Sequence, residues 1–420
     1  MNKKNLLTKS ALATAVALLS ANASAAGYQI GEHSASGLGR AFAGEGAVAD
    51  NAAVVIRNPA AMMMFDAPSI SGGLTYIDPE VDVIGKTIPN SSASDIAPSA
   101  VVPFGAAIYP INEQWALGGA LFSNYGLATE FPSDYSAGFL GGKTDLTTVN
   151  ANLSAAYRLN EQFSFGLGLN AVYADAELSR NAGILGSKFG KPASTELKYL
   201  KGDTWAFGWN IGAMWEINEA NRLALTYRSK VKLDFDGTFR GALPASPMFG
   251  PLAGSSGKDV PANLKVDLPD IWEISGYSRL NQQFALSYGI MRTGWNSFQE
   301  LKATGSQCAG GVCLQKDESF ETAYRYALSG TYYYSPEWTF RAGFAYDQKA
   351  SKKHESISIP DQDRVWYTLG TTYAFDKNLS VDAGFAYLNG RGATFKEDNA
   401  YLFESKGDAY LYSVGLNYTF

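Results

Sequence analysis

Few side chains in this sequence have the chemistry for catalysis or for metal binding. The chain of 420 residues contains two histidines, His33 and His354, and two cysteines, Cys308 and Cys313. A serine or cysteine nucleophile needs a histidine within hydrogen-bond reach, and a zinc site needs several histidine or cysteine ligands close together. Because the histidines lie in distant parts of the chain, the sequence predicts no enzyme activity, no metal site and no cofactor.

The first 25 residues have the order of features that marks a secretory signal peptide. Lysines precede an apolar stretch from Ala11 to Leu19, and Ala23-Ser24-Ala25 forms an A-x-A cleavage site. We therefore expect residues 1–25 to be removed and the mature chain to begin at Ala26. In an exported protein, two cysteines five positions apart by default form a local disulfide, so we expect a Cys308–Cys313 bridge.

Composition restricts the class of protein further. After Ala25 no run approaches the roughly 20 apolar residues that a membrane-spanning helix needs. The chain nevertheless contains 24 Tyr, 23 Phe and 43 Gly, a bias typical of aromatic girdles and of small side chains in the lumen of a transmembrane β-barrel. A net charge of −6 argues against nucleic acid as a partner.

Alternation of apolar and polar residues predicts strands with one apolar face. In residues 410–420 aromatic and aliphatic side chains occupy every second position, and the chain ends on Phe420. The segments 163–173, 205–215, 338–346 and 379–387 repeat this pattern, which is that of a strand with one face toward lipid. A soluble β-sandwich or β-array is the less favoured alternative.

Short and long connections alternate along the chain and give the number of strands. Polar turns occur at 111–114, 159–162, 217–220, 280–283, 335–337 and 375–378, where Asn, Asp, Ser and Pro are suited to tight hairpins. Longer segments, here called the outer loops, lie near 80–99, 127–146, 180–202, 237–262, 303–319, 348–362 and 390–408. Short turns on the periplasmic side and long loops outside are typical of outer-membrane barrels. The sequence therefore predicts an all-β antiparallel barrel of about fourteen strands.

Residues 26–66 lack the alternation and are rich in Gly and Ala. A barrel of about fourteen strands has an interior wide enough for a water-filled passage, so a compact segment of small residues suggests a plug. We expect a hatch at residues 26–68 and the transmembrane barrel at residues 69–420.

Several segments resemble the FadL family of outer-membrane long-chain fatty-acid transporters. The matching stretches are GYQIGEHSASGLGRAFAGEGAVADNAAVVIRNPAAMMMFD in the hatch, SNYGLATEF at 123–131, RSKVKLDF at 228–235, LQKDESFETAYR at 314–325 and ISIPDQDR at 357–364. The resemblance implies passive uptake of long-chain fatty acids by a monomer in the bacterial outer membrane. Its implied partners also include outer-membrane lipid, lipopolysaccharide and the barrel-assembly machinery.

The resemblance also implies roles for particular residues. The Asn-Pro-Ala motif of the family's hatch matches Asn58, Pro59 and Ala60. The kinked third strand, which opens a lateral window, matches Asn124, Tyr125, Gly126 and Leu127. In the ligand pocket, Tyr28 occupies the base where relatives usually have Phe, and Arg180 and Lys316 match the two cations that serve the carboxylate.

The sequence leaves three questions of function open. Relatives of this design also carry aromatic hydrocarbons, and a general porin is a further alternative. The third outer loop is shorter than in the best-known relative, which puts the family's outer low-affinity groove in doubt. A role for the outer loops as an adhesin or phage receptor would be compatible with transport.

Overall fold

The computed structural model describes residues 27–420, so the expected signal peptide and Ala26 lie outside the described residues. Twenty strand segments form one antiparallel sheet. They are β1 (Ser69–Gly85), β2 (Ala100–Pro110), β3 (Trp115–Phe122), β4 (Gly126–Glu130), β5 (Lys143–Arg158), β6 (Phe163–Asn181), β7 (Glu196–Asn218), β8 (Asn221–Arg228), β9 (Val231–Arg240), β10 (Val260–Leu268), β11 (Ile271–Arg279), β12 (Phe284–Thr293), β13 (Glu300–Thr304), β14 (Val312–Asp317), β15 (Ala323–Tyr333), β16 (Trp338–Asp347), β17 (Arg364–Ala374), β18 (Leu379–Gly390), β19 (Ala393–Glu397) and β20 (Tyr401–Thr419).

The segments combine into a closed barrel of fourteen strands. Six barrel strands are interrupted and consist of two consecutive segments each: β3 with β4, β8 with β9, β10 with β11, β12 with β13, β14 with β15, and β18 with β19. The first and last strands pair from Ser69 opposite Thr419 to Gly85 opposite Phe403, which leaves no open sheet edge there. The predicted fold class is confirmed. Closure satisfies backbone groups that would otherwise be unpaired in hydrocarbon.

Side chains alternate between the outer surface and the lumen as the sequence predicted. On β6, Phe165, Leu167 and Leu169 are exposed, whereas Asn170, the next residue, is buried inside. The inner face carries hydrogen-bonded amides: the Asn170 side chain donates to Asn210 Oδ1 over 2.8 Å. The exposed apolar face is the surface that contacts lipid in an outer-membrane barrel.

Each of the six predicted short turns is closed by one polar side chain. Asn112 Oδ1 accepts hydrogen bonds from the backbone N–H groups of Gln114 and Trp115, each over 2.9 Å. The same arrangement recurs at Asn160, Asn218, Asn281, Ser335 and Asp376. These side chains replace the ladder hydrogen bonds that the chain loses where it reverses direction.

The chain before the first strand forms short helices that contact the inner wall on all sides. They are α1 (Ala35–Gly39), α2 (Glu45–Val48), α3 (Val54–Arg57) and a 3₁₀ helix at Pro59–Met64. Helix α1 packs on β17 and β18, α2 on β8 and β11, and the 3₁₀ helix on β5, β6 and β7. The hatch therefore lies in the lumen. No helix within residues 27–420 combines the length and the hydropathy needed to cross a bilayer.

Candidate ligand-binding site

The long-loop end of the barrel holds a cavity, here called the outer cleft, with a volume of about 490 Å³. Arg180 at the end of β6 and Lys316 on β14 both line it, so the structure brings the two predicted cations into one cavity. The cleft is also lined by the apolar side chains of Leu178, Leu197, Leu301 and Leu314, by Lys198, and by the carboxylates of Asp317, Glu355, Glu397 and Asp398.

Arg180 is buried and its hydrogen bonds go to neutral oxygens. Its NH1 group donates to the carbonyls of Lys143 (3.0 Å) and Ser179 (2.7 Å), and its NH2 group donates to Thr144 Oγ1 over 3.2 Å. Within residues 27–420 it forms no ion pair with a carboxylate. Glu318 and Glu397 interact with it electrostatically from beyond ion-pair distance, so its N–H groups have no carboxylate partner in direct contact. A buried guanidinium of this kind is a suitable partner for an anionic ligand.

Lys316 differs from Arg180 because it has a carboxylate partner. Its ammonium group forms an ion pair with Glu397, whose side chain is almost fully buried, and it also donates to Ser356 Oγ over 2.6 Å. Glu397 Oε2 accepts a further hydrogen bond from the Ile357 N–H over 3.0 Å. The charge of Lys316 is thus already balanced within the cleft.

Lys198 is a third cation of the outer cleft, and the sequence analysis missed it. It is buried, it donates to the backbone carbonyl of Cys313, and its ammonium lies 5.5 Å from the centre of the Phe239 ring. Lys198 is the third residue of β7, which begins at Glu196, and it falls within the predicted third outer loop, 180–202, where no local pattern distinguishes it. The signal that could have identified it is the pairing of β6 with β7, which places Lys198 opposite Arg180.

A second cavity, here called the apolar pocket, lies deeper in the barrel and has a volume of about 50 Å³. Tyr28 and Leu127 line it, together with Leu146, Ala176, Leu200, Leu264, Val266, Phe298 and Ile359. Leu178 and Leu301 line both the apolar pocket and the outer cleft. A molecule with an apolar tail and a charged head could therefore contact both cavities at once.

Tyr28 is held at the inner end of the apolar pocket by aromatic neighbours. The centres of the Trp295 and Phe298 rings lie 4.5 Å and 5.5 Å from that of Tyr28, both at steep angles. Gly27, the preceding residue, donates its N–H to Asp361 Oδ1 over 3.1 Å. Its φ of +64° and the nearby Trp295 ring, 2.6 Å from where a Cβ would lie, require glycine here. The start of the described chain is thus fixed against an outer loop.

The predicted window residues lie where the third barrel strand is interrupted between β3 and β4. Backbone hydrogen bonds join this break to the hatch: Ile30 N–H donates to the Asn124 carbonyl (2.7 Å), and Gly126 N–H donates to the Tyr28 carbonyl (3.0 Å). Tyr125 is buried and its hydroxyl donates to the Pro269 carbonyl over 3.0 Å. At this break, the third strand therefore forms backbone hydrogen bonds with residues 28–30 of the hatch in place of a neighbouring barrel strand.

Barrel pairing is incomplete beside this break. β2 pairs with β3 only from Gly105 to Pro110, and β4 pairs only with β5. Among the described residues 27–420, none forms strand pairing with residues 100–104 of β2 on the edge that faces the third barrel strand. Contact resumes further out, where Glu130 N–H donates to the Ile96 carbonyl over 2.8 Å. The wall thus has a gap in hydrogen bonding between the second and third strands.

The Asn-Pro-Ala motif fixes the hatch against the wall. Asn58 is fully buried, donates to the Gly46 carbonyl (2.7 Å) and accepts from the Ala60 N–H (3.0 Å), so it caps the 3₁₀ helix that begins at Pro59. A Cβ at Gly212 of β7 would lie 1.9 Å from Asn58 Oδ1. The close approach of Asn58 to the wall therefore depends on glycine there.

The two cysteines and the third outer loop lie at the rim of the outer cleft. Cys308 and Cys313 are joined as a disulfide, and the carbonyl of Cys313 is the group that accepts from Lys198. The short third outer loop contains a 3₁₀ helix at Gly183–Phe189, and the Phe189 ring contacts Phe249 of the fourth outer loop with ring centres 6.2 Å apart. These two loops thus meet through aromatic side chains.

Known outer-membrane proteins are similar to this chain over nearly its whole length. A family model described as outer membrane protein transport protein (OMPP1/FadL/TodX) matches residues 16–420. A long-chain fatty acid transport protein of Escherichia coli O6:H1 is 48% identical over 450 residues, and that of Escherichia coli strain K12 is 46% identical over 449, with both chains covered completely in each case. Outer membrane protein P1 of Haemophilus influenzae is 40% identical, with 98% of this chain and 99% of that protein covered.

Solved structures have the same fold at lower identity. A Pseudomonas aeruginosa FadL homologue aligns with a TM-score of 0.83 at 21% identity, covering 94% of this chain and all of that one. The Pseudomonas putida toluene transporter TodX aligns with a TM-score of 0.68 at 15% identity, covering 88% and 94%. The predicted resemblance and the outer-membrane location are confirmed. From a family-model match over nearly its full length and close relatives that align end to end, the chain belongs to the outer membrane protein transport family that includes OMPP1, FadL and TodX.

Proposed function

We propose that this protein is a passive transporter of long-chain fatty acids across the bacterial outer membrane. The ligand's carboxylate binds in the outer cleft, where Arg180 and Lys316 lie, and its acyl chain occupies the apolar pocket above Tyr28. The names of the curated relatives support this substrate class. The protein acts as a monomer surrounded by outer-membrane lipid and lipopolysaccharide, after insertion by the barrel-assembly machinery.

The observation that carries this proposal is the continuity of a cationic cavity with an apolar one. Leu178 lies on the same strand as Arg180, two residues away, and with Leu301 it borders both cavities. Residues i and i+2 of a strand share a face. A fatty acid could therefore place its carboxylate at Arg180 while its first methylene groups contact Leu178.

Rough magnitudes indicate how the two ends of the ligand contribute to binding. Each buried methylene contributes about 0.8 kcal/mol, so about sixteen of them offer roughly 13 kcal/mol before the costs of association. A hydrogen bond to a charged group contributes about 1.5–3 kcal/mol. The acyl chain thus supplies most of the affinity, and the cations determine orientation and head-group choice.

Release of the ligand is proposed to occur sideways through the interrupted third strand. Leu127 belongs to that strand and also lines the apolar pocket, which supports a path from the pocket to the wall. Residues 28–30 pair with Asn124 and Gly126 and so cover the break from inside. Movement of residues 28–30 would weaken the pocket at Tyr28 and uncover the break together. No energy-coupling motif is needed, because metabolism inside the cell drains the gradient.

Direct binding measurements test the substrate class. In detergent, the protein is expected to bind oleate at least tenfold more tightly than methyl oleate, which lacks the charge, and more tightly than toluene, which has no head group for the outer cleft. Equal affinities for oleate and its ester would contradict a carboxylate site. Toluene binding tighter than oleate would favour the alternative of aromatic-hydrocarbon uptake, which the apolar pocket with its aromatic base could also serve.

Two variants test the exit. Deleting Tyr125 and Gly126 preserves the facing of the following residues, since side chains alternate with period two, and shortens the interrupted stretch. We expect this variant to fold and to bind oleate but to stop uptake of labelled oleate. Normal uptake by the folded deletion variant, with faster uptake on removal of residues 28–30, would instead indicate exit straight through the lumen.

A general porin would conduct ions freely in the unmodified form, which single-channel conductance detects.

A further inference from the structure

We infer that Lys198 is a further head-group residue and that Arg180 and Lys198 together hold the ligand's carboxylate. This inference rests on the proposed function and specifies which pair of cations the anion contacts. Arg180 and Lys198 are directly opposite residues of β6 and β7. Opposite residues of an antiparallel pair have Cβ atoms about 4.5–5.5 Å apart, so one carboxylate can contact both side chains.

The charges of this pair are compensated only in part: the carboxylates of Glu318 and Glu397 interact electrostatically with Arg180, but neither is in ion-pair contact with it. Like charges directly opposite each other destabilise a sheet, and burial in the cleft strengthens that repulsion. The hydrogen bonds of Arg180 go to two carbonyls and a hydroxyl, and that of Lys198 goes to the Cys313 carbonyl. Within residues 27–420 neither side chain forms an ion pair. A carboxylate bound between them would remove the repulsion and satisfy the remaining N–H donors.

Lys316 has a different role at the same cleft. Its ion pair with buried Glu397, together with the hydrogen bond to Ser356, joins β14 to β19 and to the sixth outer loop. A ligand carboxylate near Lys316 would also meet the charge of Glu397, which opposes binding. Lys316 is therefore expected to orient the loops around the cleft and to contribute less to anion affinity than Lys198.

The surroundings of Lys198 suit the end of an acyl chain. Leu197 and Leu314 line the cleft beside it, and Leu178 follows toward the apolar pocket. The hydrogen bond from Lys198 to the Cys313 carbonyl holds the ammonium group against the loop that carries the disulfide. This position requires an anionic head on an apolar chain and offers nothing comparable to a neutral head group.

Affinities of four lysine variants for oleate and for methyl oleate test the inference. Lys198→Met is expected to weaken oleate binding by tenfold or more and to change methyl oleate binding less than threefold. Lys316→Met is expected to weaken oleate binding less than Lys198→Met does. Lys86→Met, which removes an exposed ion pair between Lys86 and Glu404, neither of which lines the cleft, is the matched control. Lys198→Arg keeps the charge and should restore most of the oleate affinity.

The outcomes separate this inference from the proposed function. Heat modifiability in detergent first shows which variants are folded. Unchanged oleate affinity in folded Lys198→Met, or equal losses for oleate and the ester, would overturn a head-group role for Lys198. If Arg180→Met also changes the affinities for oleate and methyl oleate equally, the proposed carboxylate site itself is wrong. If Arg180→Met and Lys316→Met lose oleate selectively while Lys198→Met does not, the proposed function stands and the Arg180–Lys198 pair is refuted.

Discussion

The lumen contains two clusters of buried charge that differ in their balance. In the hatch, Arg40 lies between Glu45 (3.1 Å) and Asp50 (2.5 Å), and Asp50 also pairs with Arg341 of the wall (3.2 Å). These four residues, here called the hatch ion cluster, hold two positive and two negative charges. In the outer cleft, by contrast, the hydrogen bonds of Arg180 go only to neutral oxygens among the described residues, and Glu318 and Glu397 interact with it from beyond ion-pair distance.

The difference indicates what each cluster is for. A balanced buried cluster satisfies itself, so its effect is to fix the parts it joins, here the hatch and β16. An unbalanced one is costly in the empty protein and is relieved by a ligand of opposite charge. Both clusters contain arginine and carboxylates, so residue type alone would not separate a structural cluster from a binding site.

The largest expected effect comes from breaking the hatch ion cluster. Arg40→Leu leaves Glu45 buried without its partner and removes one of the two partners of Asp50. Loss of one member of a buried ion pair costs about 3–5 kcal/mol. We expect the hatch of this variant to be cut by protease at concentrations that spare the unmodified protein, and ion conductance to rise. Lys86→Met breaks an exposed pair and should cost at most about 1 kcal/mol. Equal protease resistance of Arg40→Leu and the control would contradict this role.

Replacing Arg180 in the outer cleft should weaken ligand binding without lowering stability, the opposite of the result expected for the hatch ion cluster. Arg180→Met is expected to weaken oleate binding by about 1–3 kcal/mol while hardly changing binding of methyl oleate. Because the substitution also relieves repulsion with Lys198, the free energy of unfolding should stay equal or rise slightly. Paired binding and urea-unfolding measurements check both parts. A marked loss of stability would show that Arg180 supports the fold instead of the ligand.

Removing the negative charge from the Lys316–Glu397 ion pair is a further test of how charge balance in the outer cleft affects binding. Glu397→Gln keeps an oxygen that can accept from the Ile357 N–H but removes the negative charge beside Lys316. Oleate affinity should rise by about 1 kcal/mol, because Lys316 then faces the cleft without its ion-pair partner, as Arg180 and Lys198 do. Affinities for oleate and methyl oleate measure the effect. A drop in oleate affinity would mean that Glu397 is needed to position the loops.

The smallest effect is expected from pH across the neutral range. Burial raises the pKa of the Asp50 carboxyl, but Arg40 and Arg341 outweigh burial and lower it to about 2, from an ordinary value of 3.8. A carboxyl with a lowered pKa stabilises the folded state above its unfolded value, and this contribution disappears as pH falls through the folded value. The Asp50 contribution should thus be constant above about pH 5 and decline between about pH 4 and 2. Conductance of the reconstituted protein against pH, compared with Asp50→Asn, checks this. Loss of a contribution specific to Asp50 near pH 6 would contradict it.

Strand pattern, strand number and turn positions could be predicted from the sequence because each depends on neighbouring residues. Side chains in a strand alternate between two faces, so Phe165, Leu167 and Leu169 reveal a lipid-facing surface without any knowledge of the neighbouring strands. Turn residues such as Asn112 bind backbone groups two and three positions away. The family resemblance added the positions of Arg180, Lys316 and Tyr28, which periodicity could not have identified.

By itself, then, the sequence determined that this chain forms an antiparallel outer-membrane barrel with a filled lumen. Only the tertiary structure decided which charges meet there. Lys198 lies opposite Arg180 because β6 and β7 adopt one register, and Glu397 reaches Lys316 across 81 positions of sequence because the barrel and its loops fold together. A shift of one residue in register would send either side chain to the other face of the sheet. Charge balance in the outer cleft therefore depends on long-range pairing that no local pattern records.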